Sequence, residues 1–176
     1  MPTFVNKPEF LLREKLAELD SGRIPYDKMP IGSVIDTAYY ESVGYTSLST
    51  QNTWTETNLY GHINTKHENN KVLISGQAMI RVSGAGSILR GSIRLKRKIN
   101  DGEYEVIWSR VQFGEMFQGR GTPEEISHSG AFTYLDEPNA VGRVFYRLEC
   151  YLQSGSNIIV WDGDRGTTMA LQEIKG

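Results

Sequence analysis

The sequence predicts an all-β fold, an antiparallel jelly roll or β-sandwich, preceded by a short N-terminal helix and an extended arm. Three observations predict it. From residue 31 onward apolar residues recur with a period of two, so each segment offers one face to a core and the other to solvent. Turn signals separate these segments: Ser-Gly-Ala-Gly at 83–86, Asn-Asp-Gly at 100–102, Ser-Gly-Ser at 154–156 and Asp-Gly-Asp at 162–164. No helical pattern falls between them, which points away from alternating strand and helix and toward a sandwich.

Taken in order, residues 1–7 read as an arm, and a helix follows. Asn6 can cap it, Pro8 fits its first turn, and Glu9 stands three residues after the cap. Leu12, Leu16 and Leu19 form one apolar stripe with Leu11 beside it, and Asp20-Ser21-Gly22 stops the helix. A helix of about a dozen residues is marginal alone because nucleation is costly. The stripe therefore needs a partner: its own domain, symmetry mates, or a larger assembly. Arg23 to Pro30 carries two prolines and reads as an extended connector. This divides the chain into an attachment segment, 1–30, and a β domain, 31–176.

Nine strands are expected, at 32–43, 56–65, 71–83, 87–97, 104–111, 130–136, 143–153, 157–162 and 167–174. In the third, Val72, Ile74, Ala78, Ile80 and Val82 share one face, with Lys71, Ser75, Gln77 and Arg81 opposite. In the fourth, Leu89, Ile93 and Leu95 alternate with Arg90, Ser92, Arg94 and Lys96. In the seventh, Val144, Tyr146, Leu148, Cys150 and Leu152 alternate with Arg143, Arg147, Glu149 and Gln153. Residues 112–129 read as a longer loop. The spacing leaves the strand order open.

Composition bounds the function. With 39% hydrophobic and 23% charged residues the chain has an ordinary globular balance. Nineteen basic against 21 acidic residues give a net charge of −2, which supplies no whole-chain field for nucleic acid or an anionic membrane. The longest apolar runs are a few residues, too short to insert across a bilayer as a helix. The start has no basic segment followed by an apolar one, so no secretory signal is expected. The one cysteine, Cys150, lies on the apolar side of its strand and reads as a core residue. A soluble chain made in a reducing compartment is the expectation.

Catalytic, metal and cofactor sites are not expected. His62, His67 and His128 lack a partner set of acids or cysteines. Asp162 and Asp164 begin like a calcium loop without its remaining ligands. The acid pairs Glu124-Glu125 and Asp136-Glu137 are adjacent, whereas glycoside hydrolysis needs carboxylates facing each other across a bond. Residues 83–86 lack the lysine and following helix of a phosphate loop. Arg90, Arg94, Lys96, Arg97 and Lys98 form the strongest charge cluster, read as a solvated strand face with a subunit interface or anionic glycan contact as the alternative. Phe145 and Tyr151 share a face with Arg143 and Arg147, an interleaving typical of interface centres. Tyr39, Tyr40, Tyr45, Trp54 and Tyr60 cluster in sequence, and Trp54 with Tyr60 is the candidate glycan contact.

Residues 16–30, Leu-Ala-Glu-Leu-Asp-Ser-Gly-Arg-Ile-Pro-Tyr-Asp-Lys-Met-Pro, resemble the connector of phage tail-fibre proteins. The β part resembles small phage virion proteins with a jelly-roll head. The resemblance lies in 71–74, 89–92, 129–139 (with Thr-Tyr-Leu-Asp-Glu-Pro-Asn), 146–154 and the closing 167–174. It implies a structural, non-enzymatic, homotrimeric virion protein without cofactor: a short tail fibre, head fibre or capsid-decorating protein, since no shaft repeat is present. It also implies synthesis in the host cytoplasm and attachment to capsid or tail proteins through residues 1–30. Three copies would let Leu12, Leu16 and Leu19 meet on a common axis, joined by an interface at Arg143, Phe145, Arg147 and Tyr151. The alternative role is a receptor-binding module that holds a host surface glycan. Neither nucleic acid nor membrane insertion is part of the picture.

Overall fold

A computed structural model describes residues 24–42, 44–84, 90–109, 125–160 and 167–176. The predicted helix with Leu12, Leu16 and Leu19 lies outside these residues. The described strands are β1 (Val34–Glu41), β2 (Thr46–Leu48), β3 (Trp54–Thr65), β4 (Lys71–Ser83), β5 (Arg90–Ile99), β6 (Glu105–Ser109), β7 (Glu125–Asp136), β8 (Gly142–Ser154), β9 (Asn157–Val160) and β10 (Thr168–Ile174). Every pairing among the described strands is antiparallel.

The strands form two layers. The first sheet runs β1-β10-β4 with β7 on the far side of β4, and the second runs β3-β8-β5-β6. In the first sheet β10 pairs with β4 from Lys71 to Gln77, and β9 takes over the same edge from Ile80 to Ser83. The short β2 continues the line of β1 by pairing with β9. Counting β1 with β2 and β9 with β10 as interrupted strands leaves eight, with β1 and β10 neighbours in one layer and β3 and β8 in the other. This is the connectivity of a jelly roll.

The core follows the period-two pattern. Val72, Ile74, Ala78, Ile80 and Val82 of β4 are buried against Val144, Tyr146, Leu148, Cys150 and Leu152 of β8, with Ile93 and Leu95 of β5 and Met169 and Leu171 of β10. Burial of the Cys150 thiol, with the Glu149 charge adding to it, pushes its pKa up to about 12, so the side chain acts as a small apolar residue.

Several elements depart from the sequence expectation. β7 begins at Glu125, so residues 125–129 belong to a strand rather than to the expected loop, because they continue an unbroken register along β4 from Ser83 to Val72. The short strand β2 was not expected. Ser92 and Glu149, expected outward, are buried. Arg97, counted in the outward basic stripe, falls in phase with Ile93 and Leu95 and reaches inward.

The connector is also more than an extended segment. Tyr26–Lys28 forms a single 3-10 turn after Pro25. The Lys175 ammonium donates to the carbonyls of Tyr26 and Met29 at 2.8 and 2.6 Å, and the Tyr26 hydroxyl donates to Asn70 Oδ1 at 2.5 Å. His67 stacks on the Tyr26 ring at 3.6 Å. Residues 24–33 are thereby strapped to one end of the sandwich, and the boundary drawn at residue 30 falls within that strap.

Candidate functional site

Three surfaces differ in character: the outer face of each sheet, and the side where edge strands β1 and β3 meet.

On the second sheet, alternation turns Arg94, Lys96 and Lys98 of β5 outward beside Glu149, Arg147 and Phe145 of β8. Glu149 stays covered because two cations close over it. Arg94 Nε lies 2.5 Å from Oε2 and Lys96 Nζ 3.1 Å from Oε1, and the carboxylate side chain is only 5% exposed. Arg94 also lies over Trp54 at 4.3 Å, and Trp54 packs tilted on Tyr151 at 5.0 Å. Arg147 pairs with Glu56 and stands 4.6 Å above Tyr104. Lys98 lies 4.7 Å from the Phe145 ring and 5.4 Å from Tyr104, and Arg143 lies 5.8 Å from Phe145. This face is a lattice of cations over rings and carboxylates, closed within the chain.

Arg97 crosses between the layers instead. Its guanidinium bonds Asp136 Oδ1 on β7 at 2.8 Å and pairs with Glu105. Tyr146 donates its hydroxyl to the other Asp136 oxygen at 2.8 Å. Burial alone would lower the Arg97 pKa, but Glu105 and Asp136 outweigh it and raise it. Burial, then the Asp136 charge, drives the Tyr146 phenol far above its ordinary range. These groups form a clamp between sheets, with Asp136 fixed as its centre.

The first sheet's outer face differs in kind. Leu73, Ser75 and Gln77 of β4 point outward, across from Leu135, Thr133 and Ala131 of β7 and from Gln172, Ala170 and Thr168 of β10. These nine central positions carry no charge, and the nearest charged side chains, Lys71, Glu41 and Arg81, stand at the margins. Leu135 is 47% exposed. Among the described strands β7 is paired on one side only, and its 12 residues contain no Lys, Arg or Pro and no bulge.

The third surface is a groove of about 500 Å³ lined by Tyr40, Glu41, Asn58, Tyr60, Gly61 and His62. A smaller hollow of about 180 Å³ extends past Tyr40 and His62 to Asp36 and Asn64. Its floor depends on Gly61: a Cβ there would fall inside the Tyr40 ring, so only glycine lets that ring lie across β3. The Tyr40 hydroxyl donates to the His62 carbonyl at 2.5 Å and fixes the ring. Tyr60 stands at the rim with 62% of its surface exposed.

The sequence-predicted residues separate accordingly. Arg143, Phe145, Arg147 and Tyr151 do share the outer face of β8, Tyr151 donating its hydroxyl to Asn52 at 2.9 Å. Trp54 and Tyr60 do not form one site: Trp54 packs into the cation lattice, while Tyr60 belongs to the groove with Tyr40. Tyr39 and Tyr45 are exposed elsewhere. Asp136 and Glu137 diverge, the second pairing with Lys71 at 2.6 Å on the surface. Glu124, Asp162 and Asp164 lie outside the described residues, as do the side chains of Glu125 and His128. His62 packs against Tyr40 and Phe145, whereas His67 stacks on Tyr26. Sequence reading missed the groove; its available signal was Gly61, a lone glycine between Tyr60 and His62 inside an alternating strand.

No protein-family model and no curated protein matches the chain. Among solved structures it is similar to Eiger TNF from S. frugiperda, at 14% identity over 80% of this chain and 92% of that one, with a TM-score of 0.38. It is similar to a chain of infectious bursal disease virus Gt strain at 14% identity and a TM-score of 0.43, covering 85% of this chain and 35% of that one. A third is the CBM22-1 xylan-binding domain of Paenibacillus barcinonensis Xyn10C, at 9% identity and a TM-score of 0.30, covering 84% and 99%. The chain thus spans about a third of the viral protein it matches.

Proposed function

We propose that this chain is a non-enzymatic structural component of a virus particle, of the short-fibre or capsid-decorating kind. It associates with copies of itself through the outer face of the first sheet and turns the second sheet outward. The observation that carries the association is the contrast in charge. A solvated antiparallel face ordinarily alternates with charged side chains, as the second sheet does. Depletion of charge across β4, β7 and β10, with exposed Leu135 and half-buried Leu73 within the patch, is the compositional trait of the core of a subunit interface. Among the described residues the long β7 edge carries no lysine, proline or bulge, three of the devices that keep sheet edges apart, which also favours self-pairing.

The virion setting and the trimer rest on the resemblance of residues 16–30 and of the β segments to phage virion proteins. The jelly roll recurs in viral capsid and lectin domains, which is an analogy of fold alone. The strap at 24–33 supports an attachment role for residues 1–30, because it ties the end of that segment to one end of the sandwich.

Light scattering tests the association. The full chain should show three times its 19.8 kDa. Placing charges in the proposed interface, with Thr133→Lys and Leu135→Lys, should return it to the monomer mass with its circular dichroism unchanged. Arg143→Gln with Lys98→Gln should leave the larger mass in place. If the second pair dissociates it instead, the interface lies on β8 around Phe145 and Tyr151. A monomer at every concentration overturns self-association. A chain beginning at Ile24 should fold but no longer sediment with the particle that the full chain binds.

A further inference from the structure

We propose that the groove between β1 and β3 is a binding site for a neutral oligosaccharide. The proposal goes beyond the assembly reading and does not depend on it, because the groove lies on the side of the sandwich rather than at the centre of either outer face.

The groove combines the two features that sugar recognition requires. A pyranose presents an apolar face of C–H groups and a rim of hydroxyls that both donate and accept. Tyr60 supplies a ring for the first: it is 62% exposed and makes no ring contact among the described residues. Burying an aromatic ring against C–H groups is favourable, and a side chain with two torsions loses little entropy in doing so. Asn58 and His62 supply planar polar groups around that ring, and Glu41, whose Oε1 accepts the Tyr39 hydroxyl at 3.1 Å, adds a carboxylate with its second oxygen. A carboxylate accepts two hydroxyl hydrogens, an amide donates and accepts, and an imidazole does either according to its tautomer.

Preorganisation distinguishes this hollow from a chance surface dip. Tyr40 is held against Gly61 and tied to the His62 carbonyl, so the floor does not have to order when ligand arrives. The groove continues past Tyr40 and His62 toward Asp36 and Asn64, which gives it the length for more than one sugar ring.

Charge selects the class of glycan. Glu41 and Asp36 bring carboxylates to the two ends, while Lys66 is engaged with Asp36 at 3.5 Å and Arg147, opposite Tyr60 on β8, is paired with Glu56. A uronic acid or phosphorylated sugar would meet like charge. The basic residues that would suit it stand on the second sheet's face, already paired.

Saturation-transfer NMR on the full chain tests this with four neutral tetrasaccharides: β-1,4-glucose, β-1,4-xylose, α-1,4-glucose and β-1,4-N-acetylglucosamine. Polygalacturonate is the anionic comparison. At least one neutral sugar should bind and polygalacturonate should not. Tyr60→Ala should weaken binding roughly tenfold, as expected for losing a stacking ring, with an unchanged unfolding midpoint. Tyr60→Phe should retain binding. Tyr45→Ala, which removes an equally exposed ring outside the groove, should have no effect. The site is overturned if none of the four sugars binds, if polygalacturonate binds in their place, or if Tyr45→Ala weakens binding as much as Tyr60→Ala. None of these outcomes alters the light-scattering mass, so the two proposals fail separately.

Discussion

On the second sheet, Arg94, Lys96 and Arg147 occupy outward positions, and each finds a carboxylate or a ring within its own chain. On the first sheet, Leu73, Ser75 and Gln77 hold equivalent outward positions on β4, and their neighbours Leu135, Thr133 and Ala131 offer no charge to pair with. Both faces come from the same two-residue alternation. They differ in where their interactions end: within the chain on one face and, in the proposed assembly, beyond it on the other. Substitutions on the second sheet should therefore act on folding of a single chain, and those on the first should act on contact with something else.

The largest effect is expected where the second sheet's charges turn inward. Arg97→Met leaves Asp136 buried with, among the described residues, the Tyr146 hydroxyl as its remaining side-chain partner. Removing one member of a buried pair costs about 3–5 kcal/mol, because the remaining charge is neither solvated nor compensated. The exposed Glu105 partner adds little. Urea unfolding should show a loss of about 3 kcal/mol at unchanged slope, and the thermal midpoint should fall by roughly 10 °C. A loss below about 1 kcal/mol would mean that water enters the clamp and that the two layers are not joined by it.

Arg94→Ala on the outer face should cost less, about 2 kcal/mol, since Lys96 still faces Glu149 at 3.1 Å. The same denaturation measurement checks it. Lys96→Ala in the Arg94→Ala background should then cost more than Lys96→Ala alone, because the last cation on a covered carboxylate would be removed. Additive losses would show that Glu149 rehydrates and that the lattice is a set of independent surface pairs.

Much of this division was legible in the residues, and the failures have physical causes. The inward sets on β4 and β8 follow directly from alternation, since β4 runs without a bulge and the irregularity of β8 against β5 falls at its end, beyond Leu152. Alternation also sent Glu149 outward correctly. Its burial comes from Arg94 and Lys96 on a neighbouring strand, and register between strands is not written in either one alone. Arg97 was grouped with its charged neighbours by composition, although its phase matches Ile93 and Leu95. The charge-free face needed β4, β7 and β10 side by side, an order that spacing does not fix. The groove required β1 and β3, from opposite sheets, to meet edge to edge at Gly61.

The smallest effect is expected at the centre of the first sheet's face. Gln77 is exposed on β4, between Thr168 and Ala131 on the flanking strands, and its amide has no partner among the described residues. Gln77→Ala should change the unfolding free energy of the single chain by no more than about 0.5 kcal/mol, measured at a concentration low enough to dissociate any assembly. Alanine also has the lower strand preference, so a small loss is the direction expected. At high concentration, where copies associate, the same change should shift the association midpoint, because a Gln at an interface loses water and must find a partner. A loss well above 1 kcal/mol in the dilute chain would place Gln77 among the groups that hold its own sandwich together. The contrast between the two faces would then fail, since the first sheet would be closed within the chain like the second.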